Sequence, residues 1–326
     1  MKASSPEASA AASLLDKRLP DFFLVGHGKS GTSALYRMLR AHPQIFMPTL
    51  KEPWFFSAEL FPRPPRKLET LEEYAALFEA AEPGQRVGEA TPAYLFSQTA
   101  AARIAEVQPG ARIIAILREP ASFLRSLHLQ FLQNQVESET DLRTALALEG
   151  ARREGNELPR NSTRPKMLLY SDQVRYVEQL RRYHAVFPPE QVLVLIYEEF
   201  LADNEATVRE ILRFLEVDDA HPVELIRWNP TVRVRAPRVQ GLVRTVYLGR
   251  DPVSRVAKAT VKRLTSRKLR HTAVRATRSP LFYGDPEPPD EELMLELRRR
   301  FRGEVVALSE YLDRDLVSFW GYDSLG

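Results

Sequence analysis

Runs of consecutive apolar residues alternate along this chain with longer stretches in which apolar residues recur every three or four positions. The runs are typical of strands buried on both faces, and the longer stretches are typical of amphipathic helices. This alternation predicts an α/β fold in which helices flank a parallel β-sheet, followed by a C-terminal helical extension that ends near Trp320. Strands are predicted at 21–25, 87–91, 113–117 and 191–197, and helices at 33–41, 97–107, 120–136, 171–187 and 291–312.

Length and composition set the domain organisation. The chain has 326 residues, of which 44% are hydrophobic and 27% are charged, so it is long enough to bury a sizeable core. Residues 1–19 are low in complexity and rich in Ala and Ser, which predicts a disordered tail. We predict a single domain over residues 20–326.

Two absences narrow the classes of function. The chain contains no cysteine, which excludes disulfides, thiolate metal sites, iron–sulfur clusters and a cysteine nucleophile. No apolar run approaches the roughly 20 residues that span a bilayer, and the first residues lack the apolar segment of a signal peptide. The sequence therefore predicts a soluble, cytoplasmic protein. Arginine supplies 37 of the 46 basic residues, a bias that favours a bacterial source.

The first predicted strand leads into a loop rich in Gly and Ser, residues 26–33, and then into the first predicted helix. At such a junction, free backbone N–H groups and the positive end of the helix dipole can bind a phosphate, and Lys29 adds a mobile cation. The segment Gly28-Lys29-Ser30 resembles the end of the nucleotide-kinase loop G-x-x-x-x-G-K-[ST], but the leading glycine would have to be residue 23, which is Phe23. No predicted strand ends in the aspartate that would hold magnesium. The loop therefore predicts P-loop-like phosphate binding without a metal, with a purely structural turn as the alternative.

Three stretches of the chain are informative together. The first is 22–56, with Lys-Ser-Gly-Thr-Ser at 29–33 and Lys-Glu-Pro-Trp-Phe-Phe at 51–56, and the second is Gly-Glu-Ala-Thr-Pro-Ala-Tyr at 88–94. The third is Ile-Leu-Arg-Glu-Pro at 116–120, with Ser126 eight residues after Arg118. In this order they resemble the sulfotransferases that depend on 3′-phosphoadenosine 5′-phosphosulfate (PAPS). The order and spacing are most similar to the branch that contains heparan-sulfate sulfotransferases and many bacterial homologues, and the likeness covers most of the chain.

The resemblance implies a role for individual residues. Lys29 would lie at the 5′-phosphate and the bridging oxygen of PAPS, and Glu52 would be the general base for the acceptor hydroxyl; these two are the predicted catalytic residues. The predicted cofactor-binding residues are Lys29, Ser30, Gly31, Thr32 and Ser33 at the 5′-phosphate, and Arg118, Ser126 and Arg238 at the 3′-phosphate. No metal is required.

Each of these assignments has a simpler alternative. Glu52 could be a surface carboxylate paired with Lys51, and Arg118 could form an ion pair with Glu119 or Glu89. His27, inside the loop, and His128, on the helix after Arg118, are lone histidines of the kind that is usually structural.

The chain departs from the common pattern of these relatives at two positions. Phe123 stands where many relatives carry an arginine, with Arg125 at a different helical position, and Ala90 stands where several glycosaminoglycan-modifying relatives carry a lysine. The second departure argues against a sulfated polysaccharide as acceptor. We expect the acceptor pocket to be built by the loops at 57–68 and 136–166, with one or two aromatic residues from the set Trp54, Phe55, Phe56 and Tyr94.

The positive charge is concentrated in residues 231–282. This segment carries 14 Lys and Arg against one Asp, a charge of +13, which leaves −10 for the rest of the chain. Three hypotheses follow: a lid over PAPS and an anionic acceptor, a dock for an acidic carrier protein, or a peripheral anchor on an anionic inner membrane face. A solvated basic helix is the alternative, and nucleic-acid binding is disfavoured because the segment has only two aromatic residues.

The sequence thus predicts an enzyme that moves a sulfonate group from PAPS to a hydroxyl of a small molecule, a glycan or a lipid. Two alternatives remain: a nucleotide-dependent kinase that uses the same loop, and a non-catalytic protein that binds anions or a membrane surface.

Overall fold

The computed structural model describes residues 18–61, 68–159, 162, 164–224, 233–234, 283–284 and 288–325. The division into a tail and one domain over 20–326 stays a prediction, since much of the chain between 225 and 287 and all of 1–17 fall outside these ranges. Arg238 and nearly all of the basic segment also lie outside them.

A five-stranded parallel sheet forms the centre of the protein and confirms the predicted α/β fold. The strand order is β2-β3-β1-β4-β5. Near the two ends of the basic segment, two short strands, β6 and β7, pair antiparallel. The strands are β1 Phe22–Gly26, β2 Ile45–Phe46, β3 Arg86–Ala90, β4 Arg112–Leu117, β5 Val192–Ile196, β6 Arg233–Val234 and β7 Tyr283–Gly284.

Helices cover both faces of the sheet. They are α1 Thr32–Ala41, α2 Leu71–Ala75, α3 Ala100–Val107, α4 Pro120–Gln133, α5 Leu142–Ala147, α6 Glu149–Arg153, α7 Tyr170–Gln173, α8 Tyr176–His184, α9 Tyr197–Ala202, α10 Asn204–Phe214, α11 Glu291–Leu312 and α12 Leu316–Phe319.

The central strands are buried on both faces, as their continuous apolar sequences predict. Alternate residues of β1 enter two different clusters: Phe23 and Val25 pack with α3, α4, α8 and α11, whereas Phe22 and Leu24 pack with α1 and α10. Strand β4 divides in the same way. Neighbouring side chains of a strand point to opposite faces of the sheet. A strand in which every residue is apolar is therefore stable only where other elements pack on both faces.

The structure contains several short helices that the sequence analysis did not predict, α2, α5, α6, α9, α10 and α12. Two further differences concern a predicted helix and the sheet. The helix predicted at 171–187 is two helices, α7 and α8, because the amide nitrogen of Gln179 donates to the carbonyls of Asp172 and Gln173 (3.1 Å each) and so holds the chain out of helical geometry there. The sheet also has an edge strand, β2, that the apolar pattern did not indicate, since two residues are too few to show alternation.

The C-terminal extension has the predicted bounds. The Asp290 side chain accepts a hydrogen bond from the Leu293 N–H and caps α11, whose apolar face packs against α4 and α8. Short α12 then leads the chain back to the sheet edge, where Trp320 and Tyr322 are buried. None of the helices within the described ranges is both long and apolar enough to cross a membrane.

We expect Gly26→Ala to lower the free energy of unfolding by about 1–3 kcal/mol. A β-carbon at Gly26 would lie 2.7 Å from the β-carbon of Leu95, whose N–H is fixed to the carbonyl of Val25, so Leu95 cannot move aside without its backbone. Gly110→Ala is the matched control, because a β-carbon there meets nothing within 4 Å among the described residues. Urea denaturation measures both; equal midpoints for the two variants would show that the contact is relieved without cost.

Candidate active site

The loop between β1 and α1 lies at the edge where the parallel strands end. Lys29 and Gly31 both adopt left-handed backbone conformations, with φ of 66° and 81°. Gly31 caps α1 without a side-chain hydrogen bond, and a β-carbon there would lie 2.7 Å from the Phe200 ring. The N–H groups of the first turn of α1, from Thr32 and Ser33, therefore face this loop without partners in the helix, which is the arrangement that binds anions.

Arg118 joins this loop from the neighbouring strand. It follows β4, and its Nη1 donates to the carbonyl oxygen of Lys29 (2.9 Å), while its guanidinium lies over the Tyr197 ring at 4.7 Å. Burial, and then the charge of Arg118, lower the pKa of Lys29 to about 8. The sheet therefore brings two cations together at its edge.

Three buried side-chain atoms that follow the strand ends at this edge have no hydrogen-bond partner in the described part of the chain. They are the hydroxyl oxygen of Ser30, a residue with 0% exposure, Nε of Arg118 and the hydroxyl oxygen of Thr91. A buried donor without a partner costs about 1–3 kcal/mol, so such atoms point to a ligand that supplies the missing acceptor.

Arg125 and Ser126 extend the cluster from α4. Ser126 is buried, and the pKa of Arg125 is lowered by its own partial burial and by the charge of Arg118. The sequence analysis noted only that Arg125 falls at a different helical position from the arginine of many relatives, and it assigned Arg125 no role. The structure places its charge within range of Arg118, a proximity that only the turn from β4 into α4 establishes.

The carboxylates that could have paired with Arg118 are engaged elsewhere. Glu119 caps α4 by accepting from the N–H groups of Ala121 and Ser122, and it accepts a further hydrogen bond from the Tyr322 hydroxyl (2.5 Å). Glu89 is fully buried and accepts from the Tyr74 hydroxyl (3.0 Å), and burial raises the pKa of Glu89 to about 7. The ion pairs considered for Arg118 in the sequence analysis are therefore not formed.

The C-terminal extension supports the position of Arg118. The indole N–H of Trp320 donates to Glu198 (3.0 Å), which in turn accepts from the backbone N–H of Glu119 (3.3 Å). From α8, the Tyr176 hydroxyl donates to the Arg118 carbonyl (2.9 Å). Side chains from distant parts of the chain thus fix the turn on which Arg118 stands.

Glu52 lies on the loop that crosses the end of β3. Its N–H donates to the Ala90 carbonyl (3.1 Å), and its backbone has φ of 58°. Its carboxylate accepts from the Lys51 ammonium (2.7 Å), so the pairing considered in the sequence analysis does form. The Glu52 side chain is 38% exposed and nevertheless lines a cavity beside the phosphate loop. The ion pair and the position at the cavity therefore coexist.

That cavity has a volume of about 120 Å³. Trp54, from the aromatic set singled out by the sequence, lines it, whereas Phe56 and Tyr94 are buried in the core. The two loops expected to build the acceptor pocket contribute Phe61 and Arg164. The described residues that line it are His27, Gly28, Glu52, Trp54, Phe61, Pro92, Ala93, Phe96, Phe123, Leu127, Gln130, Phe131, Asn134, Arg164, Met167 and Gln173.

His27 shapes the loop rather than supplying a charge. Its Nε2 lies 2.7 Å from the amide oxygen of Gln179, and its ring lies between those of Phe123 (4.8 Å) and Tyr176 (5.3 Å). The amide nitrogen of Gln179 already donates to two backbone carbonyls, so its oxygen accepts and Nε2 of His27 carries the proton. Burial lowers the pKa of His27 to about 4, and the residue is neutral at pH 7.

His128 is likewise structural, with its ring nitrogens at the Tyr170 hydroxyl (3.0 Å) and the Thr140 carbonyl (3.2 Å). Within the described ranges, no group of three His, Asp or Glu side chains is arranged to hold a metal ion.

Comparison with known proteins identifies the family. A sequence profile described as "Sulfotransferase family" matches residues 20–221, and the chain belongs to this family. A crystal structure of a sulfotransferase from Alicyclobacillus acidocaldarius is 25% identical and superposes with a TM-score of 0.64, covering 92% of this chain and 98% of that one. The predicted fold and family are both confirmed.

Two curated relatives show where the likeness lies. Heparan sulfate glucosamine 3-O-sulfotransferase 3B1 of Mus musculus is 26% identical over 211 residues, which is 65% of this chain and 50% of the relative. Membrane-associated sulfotransferase kil1 of Dictyostelium discoideum is 35% identical over 105 residues, 31% of this chain and 21% of the relative. The chain therefore spans half or less of the length of these relatives.

We expect the buried His27 to make stability depend on pH between about 4 and 6.5. In the unfolded chain His27 binds a proton below its ordinary pKa of 6.5, whereas in the folded protein it stays neutral down to about pH 4. The free energy of unfolding therefore falls as the pH falls through this window, by up to about 3 kcal/mol. His27→Gln, which keeps a hydrogen-bonding group but cannot titrate, should remove that share of the slope. Urea unfolding at pH 7 and pH 5 measures it; an identical slope in wild type and variant would contradict the assignment.

Proposed function

We propose that this protein transfers a sulfonate group from PAPS to a hydroxyl of its acceptor without a metal ion. The observation that carries the proposal is the pair of buried, partnerless donors, the Ser30 hydroxyl and Arg118 Nε, which flank Lys29 at the ends of adjacent strands in a member of the sulfotransferase family. Two groups of donors side by side would suit a nucleotide with phosphates at both its 5′ and 3′ positions.

The residues present fit that cofactor. The 5′-phosphate would be held by Lys29 and by residues 30–33, through the backbone N–H groups and hydroxyls of the loop and the first turn of α1. The 3′-phosphate would be held by Arg118 and Ser126, and Arg125 is charged and close enough to join them. Arg238, which the sequence analysis also predicts at the 3′-phosphate, lies outside the described ranges.

Sulfonate transfer to a hydroxyl needs a cation at the leaving group and a base at the acceptor. PAPS, when bound, supplies a sulfonate on a phosphate leaving group whose bridging oxygen gains negative charge during transfer. Lys29 would place its ammonium where that charge develops. Glu52 would accept the proton of the acceptor hydroxyl. Its N–H is hydrogen-bonded to the end of β3, and its side chain lines the cavity.

The two alternative functions, a kinase and a non-catalytic anion-binding protein, would require different residues. A kinase of the P-loop type needs a glycine at position 23, where the structure has Phe23 buried in the core of β1. A non-catalytic anion-binding protein would bind the nucleotide but have no use for Glu52. The lid, protein dock and membrane anchor considered for residues 231–282 remain hypotheses, as does the cytoplasmic location.

We expect calorimetry to show binding of PAP, the nucleotide left after transfer, that is independent of magnesium and stronger than binding of ADP or ATP. Lys29→Met should weaken it by about 10- to 100-fold, because a charge-assisted hydrogen bond is lost. Wild-type affinity should fall as the pH rises above about 8, where Lys29 loses its proton in the free protein, and the variant should lack this dependence. A variant with wild-type affinity and an unchanged pH profile would remove Lys29 from the site.

Glu52→Gln should slow transfer strongly while leaving the cofactor site intact. We expect the rate of PAP formation with an acceptor to drop by about 10²- to 10⁴-fold and PAP affinity to stay within twofold of wild type. Glu106→Gln, at an exposed carboxylate on α3, is the matched control and should behave as wild type. Undiminished turnover in Glu52→Gln would show that another group is the base.

A further inference from the structure

A fully buried carboxylate lies next to the base loop, the segment 51–56 that carries Glu52. Glu89 belongs to β3, one residue before Ala90, whose carbonyl accepts the hydrogen bond from the Glu52 N–H (3.1 Å). The Glu89 side chain is 0% exposed and is not among the described residues that line the cavity. An ionised carboxylate is costly to bury unless a cation or hydrogen bonds compensate for the lost water. The partners of Glu89 therefore determine whether its charge is compensated.

Those partners are incomplete in the described part of the chain. Oε2 of Glu89 accepts from the Tyr74 hydroxyl (3.0 Å), whereas Oε1 has no hydrogen-bond partner there. A buried polar atom without a partner requires an explanation, and a role in catalysis is one that native proteins use. Glu89 is therefore not a fully satisfied core group.

Two tyrosines connect Glu89 to the base loop. The Tyr74 ring is stacked on Phe55, with 4.6 Å between centroids and 13° between planes, and it meets the Phe56 ring edge-on (5.1 Å). The Tyr94 hydroxyl accepts a hydrogen bond from the Phe56 N–H (3.4 Å), and the charge of Glu89 acts on Tyr94 directly. The contacts of the two tyrosines thus tie the residues that follow Glu52 to the buried carboxylate.

The titratable groups that face Glu89 come from four elements. In the described part of the chain they are Glu52 of the base loop, Tyr74 of α2, Tyr94 of the turn after β3 and Tyr183 of α8. Burial raises the pKa of each tyrosine well above its ordinary value. Burial also raises the pKa of Glu89 to about 7; the hydroxyls around it oppose that rise, and the charge of Glu52 adds to it. The charge of Glu89 therefore changes near neutral pH, while the three tyrosines stay neutral.

Lys51 and Glu89 act on Glu52 in opposite directions. The Lys51 ammonium lies 2.7 Å from the Glu52 carboxylate, and an ammonium beside a carboxylate makes it a weaker base. A negative charge nearby makes a carboxylate a stronger base, and the repulsion between Glu52 and Glu89 acts on both residues. An ionised Glu89 thus offsets part of the effect of Lys51.

We propose that Glu89 is a positioning residue for the general base: it holds the base loop through Tyr74, and its negative charge favours proton transfer from the acceptor hydroxyl to Glu52. In each turnover Glu52 gains that proton and the acceptor oxygen gains the sulfonate, while Glu89 forms no new bond. This inference rests on the proposed function, because it takes Glu52 to be the base.

Carbon-13 NMR of the full chain, labelled at the glutamate carboxyl carbons, tests the coupling of the two charges. Glu52→Gln and Glu89→Gln identify the two signals, since each variant loses one. We expect the Glu89 signal to titrate near pH 7, and the Glu52 signal to titrate about 0.3–1 pH unit lower in Glu89→Gln than in wild type. Glu210→Gln, at an exposed carboxylate of α10 on the other face of the sheet, is the matched control and should leave both titrations unchanged.

Tyr74→Phe tests the contact without replacing either carboxylate. It keeps the ring on Phe55 and removes the hydroxyl that stabilises the charged form of Glu89, so the Glu89 signal should titrate about one pH unit higher. The PAP affinity of Tyr74→Phe and Glu89→Gln should stay within twofold of wild type, which checks that both variants are folded. If Glu89→Gln does not fold, the glutamate signal that titrates near pH 7 and moves in Tyr74→Phe identifies Glu89 instead.

The outcomes separate this inference from the proposed function. Titration of Glu52 at the same pH in wild type and Glu89→Gln would overturn the inference, and so would a Glu89 signal that Tyr74→Phe leaves unmoved. With normal PAP binding, either result leaves the cofactor assignment standing. Failure of folded wild-type protein to bind PAP would overturn the proposed function, and with it any catalytic role for the coupling of the two carboxylates.

Discussion

The hydrogen bond from Arg118 to the carbonyl of Lys29 ties together the two strand ends on which the candidate site depends. It holds two cations side by side in a largely buried place. Burial and the charge of Arg118 both disfavour the protonated form of Lys29, and the pKa of Lys29 is lowered accordingly. Such a cluster is stabilised by an anion, and the Ser30 hydroxyl and Arg118 Nε, which have no partner among the described residues, would donate hydrogen bonds to the anion's oxygens. The turn that carries Arg118 is held by hydrogen bonds from Tyr176, Trp320 and Tyr322. The C-terminal extension therefore helps to position the site.

The sequence predicted the parts of the fold that depend on local pattern. Uninterrupted apolar runs indicated the doubly covered strands, and the period of α11 indicated its bounds. The break between α7 and α8 could not be predicted, because it depends on the Gln179 side chain meeting carbonyls six or seven residues back while also binding His27. The place of Arg125 near Arg118 was missed for a similar reason, since helical position alone does not report the angle at which α4 leaves the sheet.

The cavity shows the other limit of sequence reasoning. Trp54, Phe61, Phe123, Phe131 and Arg164 come from separate segments, and only the folded chain brings them around one space. The loop motifs are shared with the family and indicate what is transferred. The choice of acceptor depends instead on surrounding loops, whose shape the local sequence does not report.

The measurement that tests the central claim most directly is a crystal structure of the protein with PAP. The account predicts the 5′-phosphate within hydrogen-bond distance of the Ser30 hydroxyl and the Lys29 ammonium, and the 3′-phosphate within hydrogen-bond distance of Arg118 Nε. PAP bound at another surface, with Ser30 and Arg118 unchanged, would contradict it.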